Sequence, residues 1–378
     1  MRQTILCVAA SALLGLGLPA MAVAEKESEL ELKEVVGGLE HPWGLAFLPD
    51  GKGSLITERP GRLRWLNDQG RLGSALSGVP NVYARGQGGL LDVALSPQFA
   101  SDRLVYLSYA ESDEDGEKAG TAVGRGRLKD DMSGLEGFQV IFRQEPKLSE
   151  GVHFGSRLAF DREGFLFVTL GENNQRSTAQ DLNKLQGKLV RLKPGGSVPD
   201  DNPFVGKAGA RAEIWSYGHR NPQGLAVNPW NGQLWLHEHG PRGGDEINIP
   251  QKGLNYGWPK ATHGVNYSFL PIPEAEGETV AGTEAPHHVW KKSPGISGMA
   301  FYAAERFPAW QHSLFIGALA QPGLIRLPLD GDKVGQEERL LEDRGWRIRD
   351  VRQGPDGYLY LLTDAPDGKL IRLGLQRP

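Results

Sequence analysis

The sequence predicts an all-β chain, a six-bladed β-propeller of four-stranded antiparallel blades. Three observations carry that prediction: one phrase recurs six times, its hairpins hold tight-turn dipeptides, and the composition suits many short strands. The phrase is a short apolar strand, a turn with Pro, Asp or Gly, then a second alternating strand. Its copies begin at Gly44, Asp92, Arg157, Gly224, Gly298 and Asp350. Counted from the second residue of each copy, the spacings are 48, 65, 67, 74 and 52 residues, which leaves room for two more strands per copy. A small sheet repeated in this way buries its faces only against neighbouring blades arranged around an axis.

The turns Asp50-Gly51, Asn231-Gly232 and Asp356-Gly357 supply the positive φ that tight hairpins need. The ring is expected to close by pairing the segment near Leu30 to Val36 with the C-terminal strands around Lys369 to Leu373. With 51 Gly, 25 Pro and 9 Trp, the chain reads as strands and turns, and long helices are not expected. The tryptophans Trp215, Trp235, Trp258 and Trp346 are expected to pack between blades.

The N-terminus has one cation at Arg2, an apolar run, and small residues at Ala20, Ala22 and Ala24. This pattern predicts a signal peptide over 1–24, cleaved before Glu25, and a single propeller domain over 25–378 that is secreted. The apolar run is shorter than the roughly 20 residues a membrane helix requires, so no membrane insertion is expected. Cys7, the one cysteine, falls inside the run, which excludes disulfides and Cys-based metal sites from the mature chain. A net charge of −4 without a long basic stretch offers no electrostatic basis for a nucleic-acid partner or for an anionic membrane.

In a propeller the loop entering each first strand lies on the same face as the loop leaving the second. Residues at those two phases therefore converge on one channel mouth. Before the first strands stand Gln87, His153, Arg220-Asn221, and Arg347 with Arg349. After the second strands stand Glu172 and the run Glu238-His239-Gly240-Pro241. Three converging guanidiniums call for an anionic ligand, because their planar forks match carboxylates or phosphates. His153 is the natural proton acceptor near neutral pH, with Glu172 placed to orient it. The stretch Gly240 to Pro259 gathers glycine carbonyls and acids in the manner of a calcium loop, although without EF-hand spacing. Plainer readings compete: Arg347 and Arg349 as a solvated, salt-bridged strand face, or Asp245 and Glu246 pairing with Arg242. The pairs His287-His288 and His237-x-His239 lack a third ligand and are read as structural.

At these residues the chain resembles the soluble quinoprotein sugar dehydrogenases, most of all the periplasmic aldose sugar dehydrogenase branch of the glucose/sorbosone dehydrogenase family. The resemblance runs from about Leu39 to Leu373. It rests on HPWGLAFLPDG, GQGGLLDVALSP, HFGSRLAF, LQGKLVRL, EIWSYGHRNPQGLAVNP, EHGPRGGDEINIPQKGLNYGWP and RIRDVRQGPDGYLY. It implies a six-bladed propeller that holds pyrroloquinoline quinone (PQQ) with Ca²⁺ at the channel mouth and oxidises aldose sugars. By motif match, Gln87, Arg220, Asn221, Tyr267, Arg347 and Arg349 would contact the quinone, and His153 would be the base. Carbonyls of Gly240 and Pro241 would hold calcium at the cofactor, and Glu246 with Tyr256 would serve a calcium position.

The implied reaction removes a proton from the C1 hydroxyl and passes hydride to the quinone, giving a lactone. Electrons would leave to an acceptor such as a quinone or cytochrome, from a monomer or homodimer. One departure stands out: where relatives carry a lysine after the fifth blade's second strand, this chain reads Ala320-Gln321. Two other function classes share such a fold, a calcium-dependent lactonase and a non-catalytic glycan-binding propeller. A lactonase has no tricarboxylate for the arginines to hold, and a glycan binder leaves the polar ring unaccounted for. Sugar selectivity is expected to lie in loops such as 262–284.

Overall fold

The computed structural model describes residues 30–376; the predicted signal peptide lies outside them. The strands form six antiparallel sheets, each running outward from the axis in chain order except the sixth, whose outermost strand comes from the N-terminal side. The innermost strands are Pro42–Phe47, Leu90–Leu95, Leu158–Phe160, Pro222–Val227, Ile296–Tyr302 and Ile348–Gln353. Each touches its two neighbours, and the last returns to the first, so the ring is closed. Five blades have four strands, and the fifth adds the two-residue strand Lys333–Val334 at its edge. No helix among the described residues is long and apolar enough to cross a membrane.

Closure follows the expected route. Leu30–Leu39 forms the outermost strand of the sixth blade beside Gly368–Leu375, with Leu30 opposite Leu375 and Lys33 opposite Arg372. The two ends of the described chain thus share one sheet, which fastens the last blade and closes the ring. Gly232 and Gly357 take φ of +81° and +79°, as their hairpins require.

The second strands differ from the expected alternation. Ser54–Glu58, Leu166–Leu170, Leu234–Glu238 and Ser313–Ala318 are buried at every position. Both faces of a blade pack on neighbouring blades, so period-two patterning has no solvent side to mark. Inter-blade aromatic packing is present where Trp235, fully buried, meets Phe301 edge-on at 5.5 Å. Trp215 meets Phe167 of its own blade edge-on at 5.6 Å and packs on the cluster that includes Leu225, Leu234 and Leu236 of the next blade.

A buried charge cluster ties the inner strands together in addition to apolar packing such as that of Ala300 with Val351. Arg157, almost fully buried, lies 3.2 Å from Asp92 Oδ1 and 3.1 Å from Asp350 Oδ1. Arg352 reaches the same two carboxylates at 3.1 and 2.9 Å. The carboxylates also accept backbone N–H groups, Leu158 on Asp92 at 3.0 Å and Leu45 on Asp350 at 3.1 Å. Two cations and two anions, with Arg157, Asp92 and Asp350 hydrogen-bonded further, satisfy one another where an isolated buried charge would be costly. Arg157 also donates to the carbonyls of Gln223 at 2.8 Å and Arg349 at 3.1 Å, which fixes the floor beneath the channel mouth.

Candidate active site

A cavity of about 1100 Å³ opens at one mouth of the channel. Its wall includes Gln87, Asn221, Gly240, Pro241, Tyr267, Arg347 and Arg349, so residues separated by more than half the chain do converge. His153, Arg220, Glu246 and Tyr256 are not part of that wall, but His153 bonds to it through Gln87 and Arg220 through Gly240.

His153 is placed by both neighbouring loops. Its backbone N–H donates to the Gln87 side-chain oxygen at 2.9 Å, and the Gln87 N–H donates to the Gly151 carbonyl at 2.9 Å. The residue adopts φ +53°, an uncommon conformation for a side chain with a Cβ. Gly171 follows the third blade's second strand and lies against it: a Cβ there would stand 1.8 Å from the His153 carbonyl oxygen. The ring's Nδ1 is 3.0 Å from Glu172 Oε2, and both side chains are buried. A carboxylate oxygen can only accept, so Nδ1 carries the hydrogen and Nε2 keeps the lone pair. Burial pulls His153 below the ordinary histidine value; Glu172 opposes this and the charge of Arg220 adds to it. His153 is therefore neutral at neutral pH, the form a base needs.

A polar chain forms the floor. The Asn221 side-chain oxygen accepts from Gly155 N at 3.1 Å and from Gln223 Nε2 at 3.3 Å. Gln223 Oε1 accepts in turn from Arg349 at 3.1 Å. Arg347 and Arg349 both reach Asp364 Oδ2 at 3.0 Å, and His41 meets Oδ1 at 3.2 Å. The paired arginines are thus salt-bridged, as the plainer reading had it, and still face the cavity. Burial raises the Asp364 carboxyl, but Arg349, His41 and Arg347 outweigh it and hold the group well below the usual carboxylate range.

The wall carries six basic side chains, Arg59, Arg242, Lys291, Lys292, Arg347 and Arg349, against the acids Asp245 and Asp364. Asp245 does not pair with Arg242. It accepts backbone N–H groups from Gly240 at 3.0 Å, Gly295 at 2.8 Å and Ile296 at 3.2 Å, while Arg242 lies over the Phe269 ring at 4.0 Å. The Nε of Arg349 is buried without an acceptor. An anion fits this balance.

The metal-ligand candidates divide into two places. At the cavity, the Gly240 carbonyl accepts from Arg220 at 2.8 Å, a cation already seated on that oxygen. Outside the wall, Glu246 faces Glu238 across adjacent strands, and Asn248 donates to them at 3.0 and 3.3 Å. Burial, reinforced by Glu238, pushes the Glu246 carboxyl well above the usual range. The Asn248 side-chain oxygen is buried without a partner. Two facing carboxylates, one buried and one partly buried, with a spare oxygen are a donor set that suits Ca²⁺. Tyr256 reaches this pair indirectly, its ring stacked at 5.1 Å on His219, which bonds Glu238 at 2.8 Å. Its hydroxyl donates to Ile249 O and accepts from Gln251 N, which leaves metal ligation to its carbonyl. Among the described residues no three His, Cys, Asp or Glu side chains gather at metal-binding geometry, so carbonyls would have to complete either place.

Asp364, Gln223, His41 and the pair Lys291-Lys292 were missed in the sequence. Asp364 had a signal: it stands just past the sixth blade's second strand, Leu359–Thr363, near the end where Glu58 and Glu238 close the strands of the first and fourth blades and Glu172 follows that of the third. The lysines had none, for they follow a fourth strand.

The wider comparisons agree with this architecture. The Glucose / Sorbosone dehydrogenase family model matches residues 39–372. The chain is 64% identical to aldose sugar dehydrogenase YliI of Escherichia coli over 336 residues, covering 89% of this chain and 90% of that one. The crystal structure of the soluble aldose sugar dehydrogenase of Escherichia coli in the apo-form superposes with a TM-score of 0.90 at 61% identity, over 92% of this chain and all of that one (100%). The PQQ-bound aldose sugar dehydrogenase of Streptomyces coelicolor superposes at 0.73 with 29% identity, over 91% of this chain and 98% of that one. With its closed six-blade ring, its His153–Glu172 pair beside a cation-lined mouth and these matches, the chain belongs to the glucose/sorbosone dehydrogenase family.

Proposed function

We propose that the protein is a periplasmic quinoprotein that oxidises aldose sugars at C1 to lactones, with PQQ and Ca²⁺ as cofactors. The observation that carries this reading is a neutral, buried histidine oriented by a carboxylate beside a cavity whose basic side chains outnumber its acids. A tricarboxylate quinone matches that balance, and a PQQ-bound relative shares the fold.

Arg347, Arg349, Gln87, Asn221 and Tyr267 line the cavity and would hold the quinone, with Arg220 bonded to the wall at Gly240. Gly240 and Pro241 would offer carbonyls to calcium there, and Glu246 with Tyr256 would serve the second position. When bound, the quinone and its calcium supply a two-electron acceptor for the hydride of C1 and a Lewis acid that polarises the receiving carbonyl.

His153 takes the C1 hydroxyl proton on Nε2, since Nδ1 is committed to Glu172. The C1–O bond gains double-bond character as the C1 hydrogen departs with its electron pair, and the closed ring leaves as a lactone. Glu172 stabilises the imidazolium that results, and the burial of both groups keeps water from competing for the proton. Export through the predicted signal peptide would place the reaction in the periplasm.

The test is reconstitution of the purified protein with PQQ and Ca²⁺, followed by dye reduction with several aldoses. Turnover that requires both additions is the expected result, and His153→Ala should lower it by roughly 10²–10⁴-fold while quinone binding persists. Full activity in that variant, or lactone hydrolysis without quinone, would overturn the reading.

A further inference from the structure

We propose that Lys291 and Lys292 form an anion site on the cavity wall that grips a carboxylate of the quinone, an assignment that rests on the quinoprotein reading above. Both lysines line the cavity and both are exposed to it and to solvent. Neither joins an ion pair among the described residues, whereas Arg347 and Arg349 share Asp364. The wall acid Asp245, opposite Trp290 in the sheet, accepts the backbone N–H groups of Gly240, Gly295 and Ile296 and, among the described residues, forms no ion pair with either lysine. The pair therefore presents unneutralised charge toward a space that a polyanion would fill.

The backbone beneath the two lysines is held on both sides. On one side the Trp290 carbonyl accepts from Gly244 N at 2.9 Å, and Ser293 Oγ accepts from Asp245 N at 3.3 Å. On the other, the Pro294 carbonyl accepts from Ala320 N at 2.8 Å and Gln321 N at 2.9 Å. The Gln321 side chain also donates to the Ser293 carbonyl at 3.2 Å. Two flexible stems thus rise from a fixed turn, wedged between the glycine loop of the fourth blade and the uncharged Ala320-Gln321 turn of the fifth. Anchored roots reduce the ordering that binding an anion would otherwise require. Because Ala320 itself lines the cavity, a lysine placed there would face the same space.

Quinone binding to the purified full-length protein with Ca²⁺ is measured by tryptophan fluorescence quenching, independently of turnover. The Lys291→Ala/Lys292→Ala variant should bind PQQ roughly tenfold or more weakly, the scale of a lost charged hydrogen bond, with an unchanged melting temperature. Its affinity should depend less on salt, because fewer charges are screened. Adding Ala320→Lys to the double variant should recover most of the loss. Unchanged PQQ affinity in the double variant overturns the inference and leaves the quinoprotein reading standing. A wild-type protein that binds no PQQ overturns both. If instead the double variant keeps PQQ affinity but loses turnover of glucuronate relative to glucose, the anion belongs to the substrate, and the cofactor assignment is overturned.

Discussion

Nδ1 of His153 lies 3.0 Å from Oε2 of Glu172, and neither side chain has more than a sliver of surface. That contact decides which ring nitrogen is basic and, against the larger effect of burial, helps set the pH at which it works. Burial favours the neutral imidazole, and Glu172 partly restores the charged form.

The acid limb of kcat/KM should accordingly fall below the ordinary histidine value, with activity rising as pH climbs through it. Glu172→Gln removes a contribution that raises the His153 pKa, so the limb should move to still lower pH. Lost orientation should reduce the plateau as well, by roughly 10²-fold. A pH–rate profile of both proteins checks this; a limb that moves upward contradicts the assigned roles.

Gly171→Ala tests how closely the backbone behind His153 is packed. The added methyl would sit 1.8 Å from the His153 carbonyl oxygen, so the φ-positive turn must shift. A loss of about 1–3 kcal/mol is expected from overpacking, with turnover falling further than stability alone explains. Thermal unfolding and kcat measured on one preparation separate the two effects.

Asp92→Ala should be among the most destabilising single changes at the axis. It strips Arg157 and Arg352 of a shared carboxylate and the Leu158 N–H of its acceptor. Breaking a buried ion pair costs about 3–5 kcal/mol, readable as a shift of the denaturant midpoint. An effect below 1 kcal/mol would mean that Asp350 carries both cations alone.

Asp364 links the arginines to acid stability. Its folded carboxyl is held well below the usual carboxylate range, so its contribution is present above that range and is lost as pH falls toward the folded value. Asp364→Asn should lower the melting temperature at neutral pH and flatten its decline below pH 4 relative to wild type. Parallel declines in the two proteins would show that the salt bridges add nothing to folding.

Much of this molecule could be read along the chain, because a propeller repeats in sequence what it repeats in space. Six copies in phase determined the blade number, the closing strand from Leu30, and the face on which Gln87, His153, Asn221, Arg347 and Arg349 meet. Glu172 and Glu238 were legible for the same reason, and Asp364 stood unread at the same end of its own blade's second strand. Contacts across the ring were not legible. Whether Arg157 reaches Asp92 and Asp350, whether Glu246 faces Glu238, and whether Lys291 lies unpaired beside Ala320 depend on blade rotation, on radius and on side-chain reach. Phase is a property of the linear order, so the sequence alone determined the common mouth. Pairing is a property of distance, and only the closed ring decided which charges neutralise one another and which remain for a ligand.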